Sequence, residues 1–497
     1  MTKINRIVFV QPNLKWIPWN FKTLWEIHPI NICLVAAMIE KDYDINIIDA
    51  NIDNLSQEEF QKKIAALNPD LVGITLLTME YGPTAHIAAQ LVKQINADII
   101  TVLGGIYATQ APDIAGRDGN IDYMVLGEGE FTFPTLLHFL NGQGDLPKRG
   151  IAYFKNGERV VQEKSPFIHD LDILPNPAYH LADYGRYTRT LQRISVDSPR
   201  TLPYARIMTS RGCPVGCTFC EIESITGKPF RARSVPHIIK EMKFLKEHYG
   251  IKALIFDDDN LYISRARARA LFQAMIDENL DLKWNAIAVP VFYLSDPLLD
   301  TMKASGCQYL DMAVESGVER VLNDIVHKPV KLNHVVNMVK KAKSLGIDVN
   351  THFIIGFPGE TWEEIRETIR FAESLDADYT KFFIYQPLPN TPLYKKVMED
   401  KNLMQGYNMK TDVNWSESRL ISSEFNPQDL KYLRAYEWER INFGTPSKRQ
   451  KIAQMMHVSE EALTALRKAT LASVHSETYP ALSLQEPTNN FVAHMAL

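Results

Sequence analysis

The stretch Arg211-Gly212-Cys213-Pro214-Val215-Gly216-Cys217-Thr218-Phe219-Cys220 holds three of the five cysteines of a 497-residue chain. Its C-x3-C-x2-C spacing places three thiols on one tight loop. Thiolates are the usual ligands of iron–sulfur clusters, and a full 4Fe-4S cage normally takes four of them. The spacing therefore predicts an iron–sulfur cluster in which one iron has no protein ligand.

Two other uses of cysteine compete with this interpretation. A structural zinc site needs four ligands, usually as two separated pairs, and neither His237 nor Cys307 completes such a pattern. Disulfides are disfavoured because five cysteines are few for this length and the chain starts Met-Thr-Lys-Ile without an apolar signal segment. Cys33 and Cys307 lie in apolar surroundings, which indicates buried structural thiols.

The cysteine loop follows a strand-like run at residues 205–209, and in this setting it resembles the signature of radical S-adenosylmethionine (SAM) enzymes. The resemblance implies that Cys213, Cys217 and Cys220 hold a 4Fe-4S cluster and that SAM chelates the open iron. It also implies an external electron donor of the flavodoxin or ferredoxin type. Reductive cleavage of SAM then gives a 5′-deoxyadenosyl radical that removes hydrogen from carbon.

Around the loop, short β-rich runs alternate with helical patterns, which predicts parallel strands joined by right-handed crossovers. The predicted strands are residues 205–209, 253–257, 284–289, 309–314, 350–355 and 380–386. The predicted helices are residues 236–249, 265–278, 296–304, 332–345 and 362–375. These units fit the partial (β/α)6 TIM-type barrel of the resembled family, within a domain of residues 201–400, and active residues are expected at the carboxyl ends of the strands.

Polar residues at two of these strand ends resemble positions at which the family binds SAM. Asp257 and Asp258 follow the second strand, where the family has polar groups that receive the SAM amino group. Asp-rich turns also cap helices, so a purely structural role stays open. Glu315 and Ser316 follow the fourth strand and resemble its ribose-binding and carboxylate-binding end.

Two further positions complete the predicted SAM site. Gly356 ends the fifth strand, which in the family passes beside the adenine, and glycine lets a flat ring approach the backbone. The alternative is a strand-to-helix turn with Thr361 as the helix cap. Arg231 and Arg233 carry guanidinium groups that suit the SAM carboxylate, with a surface position as the alternative.

The first 150 residues have a separate periodicity that predicts a doubly wound, Rossmann-like α/β domain. Its five parallel strands are expected at residues 7–11, 45–49, 71–75, 99–103 and 123–127. Its helices are expected at residues 30–40, 57–67 and 85–95. Ligands of such sheets lie beyond the strand ends where the strand order reverses. No G-x-G-x-x-G follows the first strand, so the dinucleotide fingerprint is absent.

Ahead of a radical SAM core, this domain resembles the cobalamin-binding domain of cobalamin-dependent radical SAM enzymes. The matching residues are the Gly-Gly after the fourth strand and the Gly-Glu-Gly-Glu after the fifth. The resemblance implies that Gly104, Gly105, Glu128 and Thr75 contribute to cobalamin binding.

The loop after the first strand departs from the best-known cobalamin domains, which place a cobalt-ligating histidine in an Asp-x-His-x-x-Gly motif there. Residues 11–20 contain no histidine. Relatives attached to radical SAM cores commonly lack this ligand, so the departure argues against a histidine-ligated cobalt rather than against cobalamin. Aromatic residues nearby predict either loop packing or a wall of the cofactor pocket: Trp16, Trp19, Phe21 and Trp25.

Residues 151–200 are rich in proline-punctuated turns and predict a linker, and residues 401–497 predict a helical region with helices at 427–443 and 447–475 and a loose tail. A net charge of −5 gives no basis for nucleic-acid binding. No apolar run reaches the length of a membrane span. Reduced thiols and the absence of an export signal favour the cytoplasm.

The resemblance implies radical methyl transfer to a small-molecule or lipid substrate. One SAM methylates cobalt, a second SAM gives the radical, and the substrate carbon radical takes the methyl group from methylcobalamin. The cofactors carry this chemistry and the protein supplies placement. Two alternatives stay open, namely a cobalamin-dependent cyclase or rearrangement enzyme, and a non-catalytic cluster- and cofactor-binding protein.

Overall fold

The computed structural model describes residues 3–17, 28–189, 195–400, 403 and 420–474. Trp19, Phe21 and Trp25 lie outside the described residues, as does the predicted loose tail. The chain divides into two compact units, the first formed chiefly by residues up to Tyr187 and the second chiefly by residues from Thr188 onward.

The first unit is built on a seven-stranded sheet in the order β2-β1-β3-β4-β5-β6-β7. Its strands are β1 (Arg6–Gln11), β2 (Asp44–Asp49), β3 (Leu71–Leu76), β4 (Ile100–Gly104), β5 (Tyr123–Val125), β6 (Ile151–Lys155) and β7 (Glu158–Val161). The first five are parallel, which confirms the predicted Rossmann-like sheet. The order reverses between β1 and β3, so their carboxyl ends border the expected ligand position.

Helices of the first unit connect the strands and pack on the sheet. They are α1 (Ile30–Ala37), α2 (Gln57–Leu67), α3 (Gly82–Ile95), α4 (Gly105–Gln110), α5 (Pro112–Ala115) and α6 (Gly129–Leu140). Helix α2 shows why these segments begin where they do. The Ser56 hydroxyl accepts from Glu59 N while the Glu59 carboxylate accepts from Ser56 N, a capping box that satisfies two otherwise unpaired donors.

The predicted linker of residues 151–200 differs from the structure in its first part. Strands β6 and β7 form an antiparallel hairpin that extends the sheet beyond β5, with Val125 paired to Ile151. The turn is Asn156-Gly157, and both residues have positive φ, 54° and 81°. Asn-Gly is the strongest short-range signal of a two-residue hairpin. Asn156-Gly157 therefore indicates the hairpin locally, whereas the prolines of the segment favour a linker.

The second unit contains a six-stranded parallel sheet in the order β15-β14-β13-β12-β11-β8, which confirms the predicted partial barrel. Its strands are β8 (Tyr204–Ile207), β11 (Ala253–Phe256), β12 (Lys283–Val289), β13 (Cys307–Glu315), β14 (Asp348–Ile355) and β15 (Tyr379–Ile384). A separate two-residue pair is formed by β9 (Ser210–Arg211) and β10 (Arg231–Ala232).

Most helices of the remaining chain lie close to their predicted positions, whereas those at Tyr184–Arg189, Ile222–Ile225 and Pro392–Glu399 were not predicted. The helices are α7 (Tyr184–Arg189), α8 (Ile222–Ile225), α9 (Val235–Tyr249), α10 (Arg265–Asp277), α11 (Asp296–Ala304), α12 (Leu332–Ser344), α13 (Trp362–Ser374), α14 (Pro392–Glu399), α15 (Pro427–Phe443), α16 (Pro446–Met456) and α17 (Glu460–Ser473). The prediction of one continuous helix at 447–475 is wrong, because the described part of this segment forms two helices, α16 and α17. His457 ends α16 in a left-handed conformation, and Ser459 caps α17 by accepting from Ala462 N.

The open edge of the six-stranded sheet is covered by α15. The Asn442 side chain accepts from Thr380 N at 2.8 Å and donates to Thr380 O at 2.8 Å, and Arg434 Nε donates to Phe382 O at 2.9 Å. These side chains pair backbone groups that would be left unpaired at the edge strand β15. Helix α15 therefore takes over part of the role of a neighbouring strand.

Among the described residues, helix length and hydropathy nowhere combine to give a segment that would span a membrane. All five cysteines are free thiols, and Cys33 and Cys307 are buried as predicted. Trp16 packs edge-on against Phe60 at 5.1 Å and donates to Leu55 O at 2.8 Å, which fits the loop-packing alternative for this residue.

Candidate functional site

The cysteine loop lies at the carboxyl end of β8, as a partial barrel requires of an active site. Gly212 and Gly216 have φ values of 87° and 75°, a left-handed conformation that glycine adopts without strain. These two turns coil the loop, so that Cys220 N donates to Cys217 O at 3.1 Å. As whole residues, the three cysteines of the loop are partly exposed, whereas Cys33 and Cys307 are buried.

Three successive residues after β11 hold the start of this loop. Asp258 accepts hydrogen bonds from Thr209 N at 3.1 Å and from the Thr209 hydroxyl at 2.7 Å. Asp259 accepts from Gly212 N at 2.7 Å. Asn260 Nδ2 donates to Cys213 Sγ at 3.6 Å. The segment after β11 is thus hydrogen-bonded to the loop that follows β8 through three consecutive side chains.

Burial disfavours the charged forms of the loop thiols. It raises the pKa of Cys217 to about 11, and it also raises the pKa of Cys220. Cys213 adds to both shifts, because neighbouring thiolates repel one another. A bound metal cluster supplies the positive charge that holds thiolates deprotonated, so this donor set fits the iron–sulfur cluster that its spacing predicts.

Glu315 lies beside the cysteine loop and forms a buried ion pair. Lys328 Nζ contacts its carboxylate at 2.6 Å and donates to Ala313 O at 2.8 Å, and both charged side chains are less than a tenth exposed. Lys328 opposes the rise in the pKa of Cys217, whereas Glu315 adds to it, which places the pair in the electrostatic range of the loop. Glu315 has φ 75°, a conformation that is strained for a residue with a side chain.

Asp257, predicted with Asp258 to contact SAM, has a protein partner. Arg206 donates to both of its carboxylate oxygens, through Nε to Oδ2 at 2.5 Å and through Nη2 to Oδ1. This fork-to-carboxylate geometry joins β8 to the end of β11. Burial raises the pKa of Asp258 to about 6 in spite of its hydrogen bonds from Ser210 and Thr209. Both residues brace the site, and contact with SAM stays a prediction for them.

Ser316 and Arg233 are also held by protein groups. The Ser316 hydroxyl is fully buried, lies 3.0 Å from Thr368 Oγ1 and accepts from Val318 N at 3.2 Å. Arg233 forms an ion pair with Glu241, which is 2 % exposed, and donates to Met208 O at 3.1 Å. A buried carboxylate needs a cation, so Glu241 gives Arg233 a structural role.

Gly356 follows β14 with φ 81°, as expected of a special glycine. Its N–H and that of Phe357 both donate to Glu360 Oε2, at 2.7 and 3.0 Å. A Cβ at this position would meet Leu430 Cδ1 of α15 at 2.5 Å. The close approach that requires glycine is therefore made by Leu430 in this structure, and contact with adenine stays a prediction.

In the first unit, the structure brings Thr75, Gly104 and Gly105 together at the adjacent ends of β3 and β4. Thr75 is the register partner of Gly104. Gly105 has φ 85°, and a Cβ there would lie 2.7 Å from Thr75 Oγ1 and 2.5 Å from Leu76 O. A Cβ at Gly104 would meet no atom of the described residues within 4 Å. The second glycine serves the turn, whereas the first faces open space of the kind that a ligand needs.

Glu128 is not part of this group. Its Oε2 accepts from Ile168 N at 2.6 Å, and its backbone oxygen accepts from Ser165 Oγ at 3.0 Å. Thr109 connects the two glycine turns instead, because its hydroxyl donates to Gly105 O and accepts from Gly127 N, both at 2.9 Å. The predicted glycine turns thus lie at strand ends and are linked to each other, and their contact with cobalamin stays a prediction.

Several residues of the site were missed by the sequence analysis, and their signals differ. Asp259 and Asn260 directly continue the Asp257-Asp258 run, so the strand-end rule would have reached them. Arg206, Lys328 and Glu360 carry no local signal, because their partners are distant in sequence or lie in a turn whose geometry the sequence does not specify.

Comparison with known proteins finds a matching family model for each of the two resemblances, the radical SAM core and the cobalamin-binding domain. The family model described as "Radical SAM superfamily" matches residues 207–372, and the model described as "B12 binding domain" matches residues 22–137. The two matches follow the predicted order along the chain, and the first contains the cysteine loop.

Curated relatives cover most of the chain. An uncharacterized methyltransferase, PH0819, from Pyrococcus horikoshii is 33% identical over 79% of this chain and 82% of its own length. Cytidylyl-2-hydroxyethylphosphonate methyltransferase from Streptomyces wedmorensis is 29% identical over 74% and 77%. Anaerobic magnesium-protoporphyrin IX monomethyl ester cyclase from Rubrivivax gelatinosus is 26% identical over 82% and 73%.

Solved structures share the fold. The radical SAM methyltransferase TsrM from Kitasatospora setae, with cobalamin and a 4Fe-4S cluster bound, superposes with a TM-score of 0.65 at 18% identity, covering 80% of this chain and 75% of its own. The cobalamin-dependent SAM radical enzyme OxsB, with aqua-cobalamin and SAM bound, superposes with a TM-score of 0.68 at 15% identity, covering 95% and 72%.

Proposed function

Because this chain belongs to the cobalamin-dependent radical SAM enzymes, we propose that it is a methyltransferase that delivers a methyl group to an unactivated carbon of its substrate. The observation that carries the proposal is the braced loop of three thiols, within a chain that is 33% identical to a methyltransferase over 79% of its length. The family also includes a cyclase, so methyl transfer is the step that needs a test.

We assign each cofactor to the residues described above. Cys213, Cys217 and Cys220 hold the cluster, and the turn of Gly104 and Gly105 with Thr75 offers the place for cobalamin. When bound, the cluster with SAM supplies the hydrogen-abstracting radical and cobalamin supplies the methyl group. The protein's own part is to bind, orient and exclude water.

The braces of the loop define what the protein itself contributes to this chemistry. Asp258, Asp259 and Asn260 fix the start of the loop, and Asn260 donates directly to a ligand sulfur. Hydrogen bonds to cluster sulfurs tune the reduction potential of a cluster. The buried Glu315–Lys328 pair keeps a fixed dipole near the same thiols. A preorganised site of this kind limits the movement of groups during electron transfer.

The first test is anaerobic reconstitution with iron, sulfide and hydroxocobalamin, followed by metal analysis. We expect about four irons, the cage size of this cluster class, together with stoichiometric cobalt. A variant in which all three loop cysteines are replaced by alanine should lose the iron. Iron without cobalt would contradict the methyl-transfer route.

The second test separates methyl transfer from the alternatives. The reconstituted enzyme is supplied with reductant, a flavodoxin or ferredoxin, methyl-labelled SAM and fractions of small molecules and lipids. A labelled product together with 5′-deoxyadenosine supports the proposal. Formation of 5′-deoxyadenosine with an unlabelled, dehydrogenated product indicates a cyclase, and absence of 5′-deoxyadenosine indicates a non-catalytic binding protein.

A further inference from the structure

A group of ionisable side chains lies on one face of the six-stranded sheet. Asp311 on β13, His352 on β14 and Lys381 on β15 come from neighbouring strands, and Asp197 joins them from the segment before β8. Exposed fractions of the side chains are 1% for Asp311, 5% for Lys381, 12% for His352 and 14% for Asp197. Burying several ionised groups carries a large desolvation penalty unless the groups are paired with one another.

The pairing register shows that these residues share one face. Asp311 is the register partner of Asn350, and His352 is the register partner of Lys381. Side chains alternate along a strand, so Asn350 and His352 point to the same side. Thr351 points to the other side, where its hydroxyl lies 3.1 Å from that of Thr380.

A second observation at this place concerns Asn350. Its side chain is fully buried, and among the described residues neither its Oδ1 nor its Nδ2 has a hydrogen-bond partner. An unpaired buried amide destabilises the fold, and native proteins almost always satisfy such groups through protein, water or ligand. Asn350 therefore marks polar space beside Asp311.

A metal ion is a poor fit for this space. Asp197, Asp311 and His352 each present a ligand atom within 4.8 Å of the others. Lys381 Nζ already lies among these atoms, in contact with Asp197, 3.3 Å from Asp311 Oδ2 and 3.1 Å from His352 Nε2. Its ammonium group supplies the positive charge that an ion would bring, and it would repel a cation.

The imidazole of His352 has an open hydrogen-bonding atom. Its Nε2 is in contact with both Lys381 and Asp311, whereas Nδ1 has no partner among the described residues. An ammonium only donates and a carboxylate only accepts. Nε2 lies 3.1 Å from Lys381 Nζ, so it accepts from the ammonium and the ring proton is on Nδ1. The contact of Nε2 with Asp311 is not a hydrogen bond, because Asp311 Oδ1 has no hydrogen-bond partner among the described residues. Nδ1 is therefore a donor.

The surroundings of His352 toward the strand ends are apolar. Ile354 is the next residue on the same face of β14, and Phe383 is the next on the same face of β15. The ring of Phe383 stands edge-on to that of His352 at 5.5 Å. Both residues belong to an apolar cluster that also contains Phe219 of the cysteine loop. An apolar wall with one oriented polar group at its inner end is typical of a small-molecule site.

We propose that His352 Nδ1 is the polar end of a substrate subsite inside the barrel, where it donates a hydrogen bond to the carbonyl oxygen of a substrate with an otherwise apolar body. Asp311 and Lys381 orient the imidazole, and Phe383 and Ile354 contact the apolar part. This inference rests on the proposed function, because it names the substrate class that the same barrel takes. His352 is a substrate-positioning residue, and no proton transfer is assigned to it.

The test compares two probes of matched shape. Acetophenone presents a carbonyl oxygen, and α-methylstyrene replaces that oxygen with a methylene group. Their binding to the reconstituted full-length enzyme is measured by titration calorimetry and ligand-observed NMR, without SAM or reductant. We expect acetophenone to bind about fivefold more tightly, the contribution of one hydrogen bond. Equal affinities, or no binding of either probe, would overturn the subsite.

Two variants distinguish the open nitrogen from the paired one. In His352→Asn the shorter amide reaches the position of Nδ1, so the preference for acetophenone should be retained in part. In His352→Gln the longer amide reaches the position of Nε2, so contact with Lys381 and Asp311 is kept while the preference is lost. The reverse pattern would show that His352 serves only to hold Asp311. Iron content and circular dichroism verify that both variants fold.

The outcome is separable from that of the proposed function. Probe binding needs no turnover, so a carbonyl preference that depends on His352 would support the subsite even if no methylated product is found. Methyl transfer by an enzyme without that preference would overturn the subsite alone.

Discussion

Gly356 shows how one residue can join the barrel to the C-terminal helices. Its φ of 81° already favours glycine, and a Cβ would meet Leu430 at 2.5 Å. We expect Gly356→Ala to lower the free energy of unfolding by about 2–3 kcal/mol, through backbone strain and overpacking together. Gly359→Ala is the matched control, because Gly359 has φ 83° but no atom near its Cβ, and it should cost only about 1 kcal/mol. Equal losses in the two variants, measured by chemical denaturation, would contradict the Leu430 contact.

Glu360 should make stability depend on pH. Burial raises the pKa of its carboxyl from 4.5 to about 8, and among the described residues Oε1 has no partner while Oε2 accepts hydrogen bonds. The folded state then holds a proton that the unfolded state releases, so stability is fully present below 4.5 and is lost as the pH rises through about 8. Each pH unit in this window costs up to about 1.4 kcal/mol. Glu360→Gln should flatten the decline in Tm between about pH 5 and about pH 8, the range between the two pKa values.

Glu364, in the same turn, provides the control for that pH effect. Arg320 lowers the pKa of its carboxyl to about 2. Its contribution is therefore present above its ordinary pKa and lost only as the pH falls toward about 2. Glu364→Gln should keep most of the wild-type slope between about pH 5 and about pH 8, because burial raises the pKa of Glu360 more than Glu364 does. A slope unchanged by Glu360→Gln would mean that Glu360 is charged in the folded protein.

At the scale of elements, α15 stabilises an edge strand through side chains. Asn442→Ala would leave Thr380 N and O without their partner, and we expect a loss of about 1–3 kcal/mol. Amide exchange measured by mass spectrometry should increase in the β15 peptide. Arg440→Ala on the same helix removes an exposed ion pair with Glu373 and should cost about 0–1 kcal/mol without changing that exchange. Faster exchange in both variants would indicate general loosening of α15 instead.

Elements defined by local patterns were predictable, and those that depend on remote partners were less so. The strands of both sheets follow from short β-rich runs between turns, which is a local signal. The break at His457 was missed because helical composition continues across it, although Ser459 and the acidic residues after it mark a new helix start. The β6–β7 hairpin was not predicted, because the prolines of residues 151–200 favour a linker, although Asn156-Gly157 is a local hairpin signal.

For the whole molecule, the sequence predicted where the strands end and where the cysteine loop lies, but not which side chains at those ends have protein partners. The cysteine loop was predictable because all its donors lie within a few residues of one another. Asp257 and Arg233 were assigned to SAM by position, yet each has a charged partner that spacing cannot reveal, Arg206 and Glu241 respectively. The charged group around His352 was not anticipated, because its members are far apart in sequence and meet only through the register of parallel strands.

The two units should load their cofactors independently, because each has its own sheet and core. Gly104 gives a direct test, since a Cβ there meets no atom within 4 Å in the part of the chain that the structure describes. Gly104→Ala should therefore keep the wild-type Tm and iron content while weakening cobalamin binding by about tenfold, the effect of one methyl group that overpacks a ligand. Gly105→Ala is the contrast, because its Cβ would lie 2.5 Å from Leu76 O, and it should lower the Tm even without cobalamin. Cobalamin affinity is followed by absorbance titration and iron by metal analysis. Unchanged cobalamin affinity in Gly104→Ala would remove this turn from the cofactor site, and loss of iron along with cobalamin would show that the units depend on each other.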